Sequence, residues 1–120
     1  IAAHLALIRR IQDETGGFTE FVPLRFIHDN TLLFQRGLVE PQEHGLADLR
    51  IYAICRLFFR GSIDNIQTSW VKLGHELAAA SLLAGVNDFG GTLMEESISR
   101  EAGADADGTA AMCRARRSPA

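Results

Sequence analysis

Three clusters of polar residues in this chain have the types and spacing to engage a ligand. The first is Glu20, Pro23, Arg25 and His28; the second is Gln67, Ser69, Trp70 and Lys72. The third is Asn87, Asp88, Gly90, Gly91, Thr92 and Glu95. Gln67 and Asn87 are uncharged amides near successive strand ends, where hydrogen bonding to a polar ligand is the expected use. Gly90 and Gly91 precede a helix start and offer backbone N–H groups to a carboxylate or another anion. Plainer roles stand beside these. Glu20 fits a structural ion pair as well as a ligand contact, and His28 fits an idle, exposed loop imidazole. Trp70 fits packing, Lys72 a solvated charge, and Glu95 the capping box that Thr92 opens. The chain holds no nucleophile–base pair, phosphate loop, dinucleotide fingerprint or zinc motif. No catalytic residue and no metal ligand is assigned.

These clusters need elements to hold them. Residues 2–14 read as an amphipathic helix, with Leu5, Ile8 and Ile11 at three-residue spacing and Arg9, Arg10, Gln12 and Asp13 beside them. Gly16 and Gly17 stop it. Phe18 to Phe26 reads as a strand in which Pro23 marks an end or a bulge. A long connection from Ile27 to Gly45 follows, and loops of that length are often functional. Residues 46–60 form a helix expected to bury Leu46, Leu49, Ala53, Ile54, Leu57 and Phe58. Asn65 to Val71 is a strand, 73–84 a helix, Val86 to Phe89 a strand and 93–102 a helix. Alternation along the second strand turns Gln67 and Ser69 to one face and Ile66, Thr68 and Trp70 to the other. The order α-βα-βα-βα, without hairpin signals, implies an α/β protein with a parallel sheet and helices packed outside.

Composition excludes some partners. The chain has 120 residues, a net charge of -3 and only scattered basic residues before Arg114, Arg116 and Arg117, so no nucleic-acid or anionic-membrane footprint appears. No apolar run reaches the length of a membrane span. Cys55 and Cys113 are far apart, show no metal-ligand spacing and fit a cytoplasmic protein; Cys55 reads as a small core residue. The first residue is Ile1, inside an apparent helix, and three strands cannot close a barrel; the expectation is a fragment.

Three blocks carry a resemblance. They are Thr15-Gly16-Gly17-Phe18-Thr19-Glu20-Phe21-Val22-Pro23-Leu24, then Asn65-Ile66-Gln67-Thr68-Ser69-Trp70-Val71-Lys72-Leu73-Gly74, then Asn87 through Arg100 with Ala102-Gly103-Ala104. In this order they resemble the end of the radical S-adenosylmethionine barrel of the FO synthase family, which makes the deazaflavin chromophore of coenzyme F(420). The resemblance covers residues 1 to about 104. It implies the last three strand–helix units of a (β/α)8 TIM-type barrel, preceded by the fifth helix, with a disordered or truncated tail at 105–120. There Asp105-Ala106-Asp107-Gly108 replaces the family's His-Gly.

The family's active site lies at the carboxyl ends of the strands, so the resemblance implies substrate contacts at Glu20, His28, Gln67, Ser69, Asn87, Asp88, Gly90, Gly91 and Thr92. It implies a [4Fe–4S] cluster and S-adenosyl-L-methionine in the full-length enzyme, although the family's Cys-x-x-x-Cys-x-x-Cys motif is absent here. It implies a 5′-deoxyadenosyl radical acting on L-tyrosine and transfer of a hydroxybenzyl unit to 5-amino-6-(D-ribitylamino)uracil. A second FO synthase component or a fused domain would complete the deazaflavin. The alternatives are a menaquinone-pathway (futalosine route) radical enzyme, a barrel half that only binds a ligand or subunit, and a fragment with no function of its own.

Overall fold

A computed structural model describes residues 1–40, 45–91 and 101. Helix α1 spans Ala2–Thr15 and ends where the Gly16 N–H bonds the Gln12 carbonyl at 2.7 Å. Leu5 is buried and Ile8 packs beside it, while Ile11 is 37% exposed. The polar side of α1 docks it. Arg9 donates to the Phe58 carbonyl (2.9 Å), and the Ser62 hydroxyl donates to Asp13 (2.9 Å). Gln12 donates to the carbonyls of Phe18 and Ser62 and accepts from the Phe18 N–H.

Strand β1 is only Glu20–Phe21, shorter than the expected 18–26, because Pro23 brings no N–H for a ladder. The connection after it holds a short helix, α2 (Leu32–Gln35), whose first turn Thr31 caps by accepting from the Phe34 N–H. Helix α3 spans Leu46–Phe58. It buries Tyr52 and Cys55, with Phe59 just beyond; of the expected face Leu49, Ala53 and Phe58 are half-buried, whereas Leu46, Ile54 and Leu57 are 63%, 49% and 75% exposed. The helix is apolar nearly all round, so its sequence offered two faces, and contact with the sheet chose one.

Strand β2 is Asn65–Ile66, parallel to β1 in the register Glu20↔Asn65 and Phe21↔Ile66. The expected third strand reduces to one parallel bridge, Gln67↔Asp88. The expected helix 73–84 is divided. Helix α4 (Trp70–Leu73) and helix α5 (His75–Ser81) meet at Gly74, whose φ of 77° no α-helix allows, and a 3-10 turn covers Leu82–Ala84. Phe21 and Ile66 point at the helices and join Leu5, Tyr52, Cys55, Phe59, Ile63 and Val86 in the core. The Phe21 and Phe59 rings lie 4.7 Å apart. This is a small parallel sheet covered by helices, the α/β class the sequence implied. No described helix is long and apolar enough to cross a membrane. All of the expected helix 93–102 except residue 101, Thr92 with its Glu95 partner, and the 105–120 tail lie outside the described residues.

Candidate functional site

The carboxyl ends of β1, β2 and the bridge at Asp88 come together on one side of the sheet. In parallel α/β proteins ligands bind there. A hollow of about 250 Å³ opens at this edge, lined by Val22, Leu24, Gln67, Ser69, Trp70 and the Gly90–Gly91 turn, among others. Its floor is braced by a chain of hydrogen bonds. The Thr68 hydroxyl, fully buried, donates to the Tyr52 phenol (3.4 Å), which donates to the Pro23 carbonyl (3.3 Å). Burial pushes the Tyr52 phenol above its ordinary pKa, and its hydrogen bonds with Thr68 and Ser69 pull part of the way back.

Ile66, Thr68 and Trp70 are buried on the helix side, while Gln67 and Ser69 are partly exposed at the hollow. The Gln67 carboxamide makes no hydrogen bond among the described residues. It lies directly over Gly90: a Cβ there would sit 2.5 Å from the Gln67 Nε2. Gly90 itself has φ 79°, and its N–H donates to the Asp88 carboxylate at 2.7 Å. Gly91 is fixed from behind, because the Trp70 indole N–H donates to its carbonyl at 3.1 Å. The Trp70 ring stacks on His75, with centroids 5.2 Å apart and planes within 14°. A tryptophan read as packing thus also holds the turn that forms one wall of the hollow.

The structure uses Asn87 differently from the expectation. The N–H groups of Asn87 and Asp88 both donate to the Ile66 carbonyl (3.1 and 3.3 Å), as in a β-bulge, so strict alternation fails here. Asp88, not Asn87, is the partner of Gln67. The Asn87 Oδ1 accepts from the Ile66 N–H (2.8 Å) and Arg56 (2.6 Å). Its Nδ2 donates to the Asp64 carbonyl (3.2 Å) and to Asn65 (3.3 Å). That fills the bonding capacity of a carboxamide and leaves nothing to offer a ligand.

Two other candidates sit apart from the hollow. Glu20 is exposed and paired with Asn65, at the start of β2 rather than its end. His28 is neither exposed nor on the lining; it is 4% exposed, its ring meets Phe34 edge-on at 4.7 Å, and Nε2 is 3.9 Å from Asp29. Arg25 is held by Asp48 at 3.5 Å, and that carboxylate also accepts the Gly45 N–H at 3.0 Å. Tyr52 and the bulge escaped the sequence reading. Tyr52 lay in a helix apolar nearly all round with no marker of its face, and a bulge has no signature in one sequence.

Among the described residues no group of three or more His, Cys, Asp or Glu side chains could hold a metal ion. Cys55 is a free thiol, 1% exposed, and burial pushes its pKa up to about 11.

Comparison with known proteins gives a consistent result. Residues 15–116 match the model of the CofH/MqnC C-terminal region. A protein of Methanococcus maripaludis named 5-amino-6-(D-ribitylamino)uracil--L-tyrosine 4-hydroxyphenyl transferase is 58% identical over 103 residues, covering 86% of this chain and 29% of its own length. Proteins of the same name from Methanothermobacter thermautotrophicus and Methanopyrus kandleri are 57% and 56% identical, covering 84% of this chain in each case and 28% and 27% of their own lengths. The chain therefore spans less than a third of the length of these curated relatives. No solved structure matches it. With the matched region running through β1, β2, the hollow and beyond, this chain belongs to the CofH/MqnC C-terminal family.

Proposed function

We propose that this chain is the C-terminal part of a 5-amino-6-(D-ribitylamino)uracil–L-tyrosine 4-hydroxyphenyl transferase, the tyrosine-using component of FO synthase, and that the hollow is part of its substrate rim. The observation that carries the activity is 56–58% identity to proteins of that name across 101–103 residues. That the matching names are those of the transferase favours it over a menaquinone-pathway activity. The parallel register and the helix cover support the finer fold, the closing units of a (β/α)8 barrel whose other strands lie outside this chain.

Within this frame Gln67, Ser69, Gly90 and Gly91 line the substrate site, Asp88 shapes it, and Thr92 follows directly in sequence. Asn87 holds the sheet together, and Glu20 and His28 stand outside the hollow. The [4Fe–4S] cluster that the family resemblance implies does not fit the residues of this chain. The sequence has two cysteines, and Cys55 is buried in the core as a neutral thiol, so three thiolates cannot come from here. Cluster and S-adenosyl-L-methionine binding belong to the rest of the full-length enzyme, and L-tyrosine and the aminouracil are its substrates.

The test is made on the full-length enzyme, reconstituted without oxygen and supplied with both substrates. Gln67→Ala removes an amide from the site and is expected to lower kcat/KM by about ten- to a hundredfold, the equivalent of roughly 1–3 kcal/mol for one lost polar contact. Wild-type kcat/KM for both substrates in that variant would remove the hollow from the substrate site. An active wild-type enzyme that makes no tyrosine–aminouracil adduct would remove the activity itself.

A further inference from the structure

The Gly90–Gly91 turn has the sequence of an anion cradle, but its geometry is that of a site already filled. The Gly90 N–H is turned onto the chain's own Asp88 carboxylate at 2.7 Å, so it has no proton left for a ligand oxygen. That carboxylate also places a negative charge at the turn, which repels a second anion. Among the described residues none that lines the hollow is cationic, and Lys72 on α4 is not in the lining. What the lining does offer is neutral and two-sided. The Gln67 carboxamide supplies two donors and an acceptor and has no partner among the described residues. The Ser69 hydroxyl makes no capping bond to the start of α4, although Ser69 occupies the N-cap position, so it too is available to donate and accept. Groups that both give and take hydrogen bonds match hydroxyls, and the remaining walls (Val22, Leu24 and the Trp70 ring) are apolar.

We infer that the hollow receives a neutral, hydroxyl-bearing chain rather than a carboxylate; resting on the substrate-rim reading above, this assigns it the ribityl arm of the aminouracil and not the amino-acid end of tyrosine. The Gly90 position is then explained by the amide it supports. With no Cβ, it leaves room for the Gln67 carboxamide to pack against the turn at the edge of the hollow.

Binding separates the outcomes. The full-length protein and its Gln67→Ala and Ser69→Ala variants are titrated by calorimetry with 5-amino-6-(D-ribitylamino)uracil, with 5,6-diaminouracil lacking the ribityl arm, and with L-tyrosine. The Ser69 hydroxyl caps no helix bond, so Ser69→Ala leaves the fold intact even where Gln67→Ala disturbs the turn. The expected result is a loss of about tenfold in affinity for the ribityl compound in each variant, one hydrogen bond's worth. Affinities for 5,6-diaminouracil and L-tyrosine should stay within about twofold, the scale of a contact not made. Weakened tyrosine binding with unchanged aminouracil binding overturns the inference but leaves the hollow a substrate site. Unchanged binding of all three compounds overturns both.

Discussion

At the residue scale, two amides that look alike in the sequence have opposite consequences. Asn87 makes four hydrogen bonds that join Arg56, Asp64, Asn65 and Ile66, whereas Gln67 makes none among the described residues. In the full-length protein Asn87→Ala should therefore lower stability by roughly 0.5–1.5 kcal/mol, chiefly through the part-buried bond to the Ile66 N–H, visible as a reduced Tm. Gln67→Ala should leave Tm nearly unchanged and act on turnover. Equal Tm values for the two variants would mean that the Asn87 network carries no weight. Gly90→Ala tests the turn from the other side. A methyl group there meets the Gln67 amide at 2.5 Å and must tolerate φ 79°, so the amide has to move and the backbone strains by about 1 kcal/mol or more. The expected result is a loss of kcat/KM comparable to that of Gln67→Ala, and wild-type kinetics in this variant would count against the packing of Gln67 on Gly90.

Cys55 gives a prediction in pH. Its thiol is displaced upward, from 9.0 to about 11, by desolvation. A group whose folded pKa is raised contributes stability in full below its unfolded pKa, and that contribution drains away as pH rises from about 9 to about 11. Tyr52, also raised by burial, acts in the same alkaline direction. Peptide mapping after iodoacetamide treatment at pH 8 should find Cys55 unlabelled in the folded enzyme and labelled after denaturation. Rapid labelling in the native state would contradict its place in the core.

At the scale of elements, α3 is the organiser. From one side it packs Tyr52 and Cys55 against β1 and β2. From its last turn Arg56 reaches the carbonyl of Gly85, the carbonyl of Asp64 (2.7 Å) and the Asn87 side chain (2.6 Å). One guanidinium thus ties the start of β2 to the segment that carries Asp88 and Gly90. Arg56→Ala should cost roughly 1–3 kcal/mol, discounted for partly exposed bonds, measured as a shift in denaturant midpoint. Arg56→Lys should not restore it, since an ammonium cannot span three acceptors with the geometry of a planar fork. The periodicity of α3 pointed to a face with Leu46, Ile54 and Leu57, which is exposed, because apolar residues on the Tyr52–Cys55 side fit a helix equally well. The clamp made by Arg56 could not be inferred without knowing which strands lie nearby.

At the scale of the molecule, the sheet is too small to stand well alone. Two paired strands of two residues each leave edges for further strands. Leu83, Leu57, Leu38 and Leu32 are 94%, 75%, 68% and 66% exposed. The isolated 120-residue chain should show little amide-exchange protection, and anaerobic treatment with iron and sulfide should produce no [4Fe–4S] absorbance. A cooperative unfolding transition with protected strands, or a stable cluster on this chain, would refute the view of it as part of a larger barrel.

The sequence by itself determined the α/β class, the parallel order, the first helix, Cys55 as a core residue, and the family, because these rest on local periodicity, glycine punctuation and long stretches of shared wording. It also fixed which strand residues alternate, so Gln67 and Ser69 were separated from Ile66 and Thr68 by the period of two alone. Tertiary structure decided the rest. A doubled amide contact on the Ile66 carbonyl paired Asp88 with Gln67 and turned Asn87 from a ligand contact into a brace of the sheet. The Asp88 carboxylate accepts the hydrogen bond that the Gly90 N–H would have donated to an anion, and the face of α3 was chosen by what lay against it. Each of these depends on groups some twenty or more residues apart, or on one backbone angle. No spacing of residue types along a single chain encodes which of several satisfied arrangements has the lowest free energy.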